Sequence, residues 1–235
     1  MKAFFIDIDN TLLDFDAYVR TTMARGFAHF GLPAYRPEMY HTFTAENNKL
    51  WRQIEEGTLT FDELQKVRWN RVFAALGFSF DGPTFEHYFR AALHESAIPT
   101  PGAMELLQSL SGHGILCVAS NGPYEQQLHR LELGGMKPYF DHFFISERAG
   151  AAKPAAAFFD HAFRELNAAR AVPIRPEETV IIGDSLTSDI AGGRQYGMKT
   201  CYYRRPGAPV APVGVDHTVT DLRQIPPLFG VPLRQ

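Results

Sequence analysis

The chain has only two cysteines in 235 residues, Cys117 and Cys201. Each sits in an apolar stretch, so a disulfide framework is excluded, and both read as small buried hydrophobes of a reducing compartment. None of the nine histidines pairs with a cysteine at zinc-like spacing, so no structural zinc is expected. No apolar run approaches the roughly 18 residues of a membrane span, and no membrane partner is expected. The opening MKAFFIDID has one lysine and a short apolar run, then acids. It lacks the longer apolar core and small-residue cleavage site of a signal peptide, which leads us to expect a cytoplasmic protein. No charge of one sign dominates. Lys plus Arg is 23 and Asp plus Glu is 26, a net of −3, which argues against a nucleic-acid polymer as partner. Repeats and low-complexity tracts are missing too. What is there is ordinary globular material, 45% hydrophobic and 21% charged, long enough for one large domain or two small ones.

Two textures organise the chain. Short apolar runs occur at Ala3–Ile6, Ile115–Ala119, Phe143–Ile145, Thr179–Ile182 and Thr200–Tyr203. Continuous runs of this length suit strands buried on both faces, as in a parallel sheet. Between them lie helical spacings such as Phe159, Ala162, Phe163 and Leu166. The pattern predicts an α/β fold: a Rossmann-like, mostly parallel sheet with helices on both faces. Residues 15–96 differ, with many aromatics and no strand run. Thr60-Phe61-Asp62-Glu63 is a capping-box pattern, after which Phe61, Leu64, Val72 and Ala75 are expected to share a face. Breaks at Gly31-Leu32-Pro33, Glu56-Gly57 and Gly77 to Gly82 predict three or four helices there. The expected division is a core of residues 1–14 and 97–235 with a helical insertion over 15–96.

Four polar motifs follow or flank the strand ends, where open α/β sheets bind ligands. The first is Asp7-Ile8-Asp9-Asn10-Thr11, two nearby carboxylates that repel unless a cation or proton lies between them. Alone it is equally a polar strand end with a capping Asp. The second is Ser120-Asn121-Gly122, able to hold phosphate oxygens or simply to turn the chain into a helix. The third is Lys153-Pro154, a possible site cation or a surface lysine before a helix. The fourth is Gly183-Asp184 with Asp189, carboxylates suited to a hard divalent cation or to a helix N-terminus.

Taken together and in this order, the motifs resemble the haloacid dehalogenase-like (HAD) hydrolase superfamily, and the likeness extends over essentially the whole chain. The insertion after the first motif looks like that family's C1-type cap. The resemblance implies that Asp7 is a nucleophile forming an aspartyl-phosphate. It implies that Asp9 is the general acid that protonates the leaving oxygen, then the base that activates water. It implies Mg²⁺ held by Asp7, the backbone carbonyl of Asp9, and Asp184. Lys153, Ser120, Asn10, Thr11 and Asn121 are implied as phosphate-binding, and Asp189 as orienting Lys153 or a metal-bound water. Dehalogenases of this fold attack carbon and do not need the second acid, so Asp9 favours phosphoryl transfer.

The expected substrate is a small phosphomonoester. Asp14-Phe15-Asp16, Asn47-Asn48-Lys49-Leu50-Trp51, Glu56 to Thr60 and Ser120-Asn121-Gly122 look like the pyrimidine 5′-nucleotidase subgroup, which acts on nucleoside 5′-monophosphates. Asn47, Asn48, Lys49 and Trp51 are candidate cap contacts to base or ribose. Trp69, Phe43 and Tyr40 are candidate stacking rings, though any of these also suits the cap's own core or surface. Alternatives are a sugar-phosphate or phosphoglycolate phosphatase, a phosphomutase, or a non-catalytic ligand-binding module. Arg204-Arg205 reads as a surface pair. Oligomeric state is left open.

Overall fold

The computed structural model describes residues 1–234 and resolves into two compact units, one formed by Met1–Asp14 with the chain from Ala97 onward, the other by Phe15–Ser96.

The chain opens with β1 (Ala3–Ile6) and then enters the second unit, which contains α1 (Phe15–His29), α2 (Pro37–Glu55), α3 (Phe61–Leu76) and α4 (Gly82–His94). Its breaks fall at Gly31, Gly57 and Gly77, each at positive φ, where a side chain would be strained. Thr60 caps α3 as its spacing predicts: Thr60 Oγ1 accepts from Glu63 N at 3.2 Å, and Thr60 N donates to Glu63 Oε2 at 2.8 Å. Leu64 and Val72 are buried, but Ala75 is exposed, because α3 turns its inner stripe through Trp69 and Phe73 instead. The unit's core is largely aromatic. Tyr18, Phe27, Phe43, Trp69, Phe73, Phe85 and Phe89 pack together, and Trp69 meets Phe85 at a ring separation of 4.2 Å. One ion pair lies inside: Arg68 Nε donates to Glu86 Oε2 at 2.9 Å, with both residues 4% exposed.

The first unit continues with α5 (Ala103–Leu110), β2 (Ile115–Ser120), α6 (Tyr124–Leu133), β3 (His142–Ile145), α7 (Ser146–Ala149), α8 (Ala156–Asn167), β4 (Thr179–Gly183), α9 (Ala191–Tyr196), β5 (Lys199–Tyr203), β6 (His217–Val219) and α10 (Ile225–Leu228). The six strands form one parallel sheet in the order β3-β2-β1-β4-β5-β6. In register, Phe5 stands opposite Cys117 on one side and Ile181 on the other. Successive side chains go to opposite faces. Phe4, Ile6, Val118 and Ile182 pack with Leu106, Leu107 and Leu110 of α5. Phe5, Cys117, Ala119 and Ile181 pack with Phe158, Phe159 and Phe163 of α8. The expected α/β class, with a parallel sheet between helical layers, is therefore what the chain forms. β6 adds a sixth strand that no apolar run announced.

The chain leaves and re-enters this unit at one place. Thr100 N donates to Leu12 O at 2.9 Å and Asp14 N to Ile98 O at 2.8 Å, around an antiparallel bridge between Leu13 and Pro99.

Candidate active site

The candidate site lies at the carboxyl ends of β2, β1 and β4, three neighbouring strands inside the sheet. β1 is prolonged by Asp7, whose N–H donates to Ile182 O at 2.9 Å. The chain then folds into a tight turn, with the N–H groups of Thr11, Leu12 and Leu13 all directed to Ile8 O. Asn10 takes φ 63°, the left-handed region that asparagine enters more readily than most side chains.

Asp7 is buried, and Lys153 Nζ donates to its Oδ1 at 2.9 Å. The same ammonium donates to Asp189 Oδ1 at 2.5 Å and to the carbonyl of Ala119. Lys153 has only 1% of its surface exposed. An ammonium so buried is tolerable because its three protons all have acceptors. Burial works against its charge, and Asp189 and Asp7 more than offset that, so its pKa stands above an ordinary lysine's. Burial pushes the Asp7 carboxyl up and Lys153 pulls it down, while Asp189 and Asp184 push it up again.

Carboxylate oxygens of Asp7, Asp184 and Asp189 all lie within 4.8 Å of one another. Lys153 engages Asp7 and Asp189, and Arg205 Nε donates to Asp184 Oδ2 at 3.0 Å. Three carboxylates against two cations leave a net negative site, which is an electrostatic reason for a further cation there. Asp189 has both oxygens engaged, Oδ1 by Lys153 Nζ and Oδ2 by Ser185 N at 3.1 Å, whereas Lys153 bonds one oxygen of Asp7, so Asp7 and Asp184 are the carboxylates better placed to share a hard divalent ion. Gly183 is required at the end of β4, since a Cβ there would come within 2.1 Å of Asp189 Oδ2.

Arg205 departs from the surface reading of Arg204-Arg205. It is half-buried and held by Asp184, a contact between the ends of adjacent strands that the sequence does not display.

The end of β2 supplies Ser120, 2% exposed, and Asn121. Ser120 Oγ accepts from Gln127 Nε2 at 2.9 Å. Asn121 is bonded to the backbone of Lys153 in both directions. Thr11 Oγ1 is buried and lacks a hydrogen-bond partner among the described residues. Asp9 has its own surroundings. Its Oδ2 accepts from Gln127 Nε2 at 2.8 Å and its Oδ1 from Arg130 Nη1 at 2.7 Å. Its side chain is not in the cluster of three carboxylates.

The structure thus brings Asp7, Asp184, Asp189 and Lys153 together, and ties Asp9 to Ser120 through Gln127. Gln127 and Arg130 escaped sequence reasoning. They are polar residues one helical turn apart on α6, where nothing in the spacing sets them apart from a solvated face.

The cap candidates lie on α2 in the other unit. Asn47 is buried, and its Oδ1 accepts from Arg68 Nη1 at 3.3 Å. Asn48 is exposed. Lys49 is exposed and paired with Glu46 at 2.6 Å. Trp51 is half-buried beside Phe61, ring centroids 5.9 Å apart. Of the stacking candidates, Trp69, Phe43 and Tyr40 belong to the unit's aromatic core.

Comparison with known proteins gives the family. A family model for hydrolases described as haloacid dehalogenase-like matches residues 1–197. The HAD-hydrolase YfnB of Bacillus subtilis is 32% identical over 90% of this chain and 87% of its own. A crystal structure of YfnB bound to magnesium superposes with a TM-score of 0.87, at 30% identity over 97% of this chain and 98% of that one. The pyrimidine 5′-nucleotidase PynA of Streptococcus pneumoniae is 32% identical over 86% of this chain and 83% of its own. The pyrimidine 5′-nucleotidase YjjG of Escherichia coli is 30% identical over 94% of this chain and 96% of its own.

Proposed function

Because the chain belongs to the haloacid dehalogenase-like hydrolases, we propose that it is a phosphatase acting on nucleoside 5′-monophosphates, pyrimidine nucleotides above all, through a phosphorylated Asp7. The observation that carries this reading is the buried Asp7 carboxylate, held by Lys153 at 2.9 Å at the end of the central strand. Two relatives of comparable length that carry the name pyrimidine 5′-nucleotidase support the substrate class.

In this mechanism an Asp7 carboxylate oxygen attacks phosphorus. The P–O bond to the nucleoside breaks as the Asp7 oxygen–phosphorus bond forms, and the departing oxygen takes a proton from Asp9. Water then attacks the aspartyl-phosphate, Asp9 takes the water's proton, and inorganic phosphate leaves with Asp7 restored as a carboxylate. Lys153 lowers the cost of bringing an anionic phosphate against an anionic nucleophile. The Ser120 hydroxyl, the Thr11 hydroxyl and backbone N–H groups beside Asn10 and Asn121 are assigned to the phosphate oxygens. Asn121 uses its side chain to hold Lys153, so its part in phosphate binding falls to its main chain. Asp7, Asp184 and the backbone carbonyl of Asp9 would hold Mg²⁺, which supplies charge neutralisation between phosphate and nucleophile. Asp189 keeps Lys153 in place.

The cap is assigned the leaving group, with Asn48, Lys49 and Trp51 as the accessible candidates on α2. Asn47 is committed to Arg68 and supports the cap from inside.

The test is phosphate release with Mg²⁺ from UMP, dUMP, dTMP, CMP, AMP, GMP, sugar phosphates and phosphoglycolate, with Asp7→Asn protein as blank. The expected result is turnover led by the pyrimidine monophosphates and absent from the blank. Turnover led by sugar phosphates or phosphoglycolate overturns the substrate class and keeps the chemistry. Equal release by Asp7→Asn protein overturns the chemistry.

A further inference from the structure

Asp9 is held by two residues that no part of the proposed reaction uses directly. Arg130 and Gln127 are each 1% exposed, although both are long polar side chains on a helix. Burying a guanidinium is costly unless it is paired and hydrogen-bonded. Here the pairing is specific. Arg130 Nη1 donates to Asp9 Oδ1 at 2.7 Å and to Gln127 Oε1 at 2.9 Å. That second bond fixes the Gln127 amide with its nitrogen forward. The nitrogen then spends its two protons on Asp9 Oδ2 at 2.8 Å and Ser120 Oγ at 2.9 Å. Gly122 lies against this amide so closely that a Cβ would stand 2.9 Å from Gln127 Nε2. The side chain has little room to leave.

We infer that Gln127 and Arg130 are positioning residues that brace the Asp9 carboxylate and set its place relative to Ser120. The inference rests on the reading of Asp9 as general acid and base. Asp9 sits in a loop with its side chain 33% exposed, and a carboxyl so placed is free to rotate into water. The brace gives each of its oxygens one donor. Each oxygen has about two lone-pair sites, so each keeps one for the leaving group's proton or for water. Ser120 is assigned to a phosphate oxygen, so one amide nitrogen joins the acid to the phosphate site and fixes the separation between them. A misplacement of about 1 Å in such an arrangement costs on the order of 100-fold in rate.

The experiment compares kcat/KM for a nucleoside monophosphate, whose alkoxide must be protonated to leave, with p-nitrophenyl phosphate, whose phenolate leaves unaided. This ratio reports only steps through transfer to Asp7, so hydrolysis of the intermediate does not blur it. The variants are Arg130→Met, Arg130→Lys, Gln127→Met and Asp9→Asn, each checked for an intact fold by circular dichroism and thermal melting. The expected result for Asp9→Asn is a loss on the nucleotide roughly 100-fold greater than on the aryl ester. Arg130→Met and Gln127→Met should show the same selectivity, at least about tenfold, and Arg130→Lys should recover part of it. Equal losses on both substrates, or none, in folded Arg130→Met and Gln127→Met proteins while Asp9→Asn is selective would overturn the brace and leave the role of Asp9 standing. An unselective Asp9→Asn overturns that role, and the brace with it. Should Arg130→Met fail to fold, Gln127→Met and Arg130→Lys decide by the same ratio.

Discussion

The Asn121 side chain holds the main chain of Lys153 from both sides: Asn121 Nδ2 donates to Lys153 O at 2.9 Å, and Lys153 N donates to Asn121 Oδ1 at 2.8 Å. One amide side chain thus satisfies both backbone groups of the residue whose ammonium lies between Asp7 and Asp189. The end of β2 thereby sets where the Lys153 backbone stands, and the stem of the lysine carries that placement to Asp7. Asn121→Ala should destabilise the protein by about 1–3 kcal/mol, since a part-buried donor and acceptor lose their partners. It should also slow phosphate release, because Lys153 no longer has a fixed origin. Denaturant midpoints and kcat check the two effects.

The ion pair inside the unit Phe15–Ser96 makes a separate prediction. Arg68 and Glu86 are both buried, and Arg68 also reaches Asn47 and lies over the Phe89 ring at 4.8 Å. Arg68→Met strands a buried carboxylate and should cost about 3–5 kcal/mol. The double substitution Arg68→Met with Glu86→Leu should recover most of that loss, because two apolar groups replace two charges that were expensive to bury. Urea unfolding of the two proteins measures the difference. If the double variant is as unstable as the single one, the pair contributes by packing that apolar groups do not reproduce.

Acid should loosen the join between β5 and β6. Asp216 Oδ2 accepts from Thr200 N at 2.9 Å and from Thr200 Oγ1 at 3.0 Å, and Oδ1 accepts from Lys199 Nζ at 2.9 Å. Partial burial works to raise this carboxyl, but the bonds from Lys199 and Thr200 prevail and hold it below the usual carboxylate range. A carboxyl depressed in the folded state adds stability in full above its unfolded pKa of about 3.9, and that contribution fades as pH falls through the lower folded value. Asp216→Asn should therefore be less stable than the parent near neutrality and converge on it in acid. Denaturation midpoints along a pH series measure the gap, and a gap of constant size would show that the charge plays no part.

What the sequence made legible was the part governed by short-range pattern. Five strands appear as apolar runs because each is buried on both faces, and the four motifs stand at or beside strand ends because that is where a parallel sheet opens to solvent. β6 was not legible, since His217-Thr218-Val219 has three residues and one of them is exposed. Arg205 and the Gln127–Arg130 pair were hidden for another reason. Gln127 and Arg130 meet Asp9 across 118 and 121 residues of chain, and Arg205 meets Asp184 across 21. Long-range partners of this kind have no periodicity to betray them. Asn47 misled in the opposite direction, because a polar residue on an amphipathic helix reads as outward-facing until a buried arginine is found to claim it.

The staple at Leu12–Asp14 and Ile98–Thr100 has a consequence for how such a chain can be rebuilt. The two ends of the 82-residue excursion Phe15–Ser96 are gated by a pair of doorposts, and the sheet pairs its strands without reference to what passes between them. The excursion is thus an exchangeable cartridge: its length and contents can change while the register of β1 against β2 and β4 stays as it is.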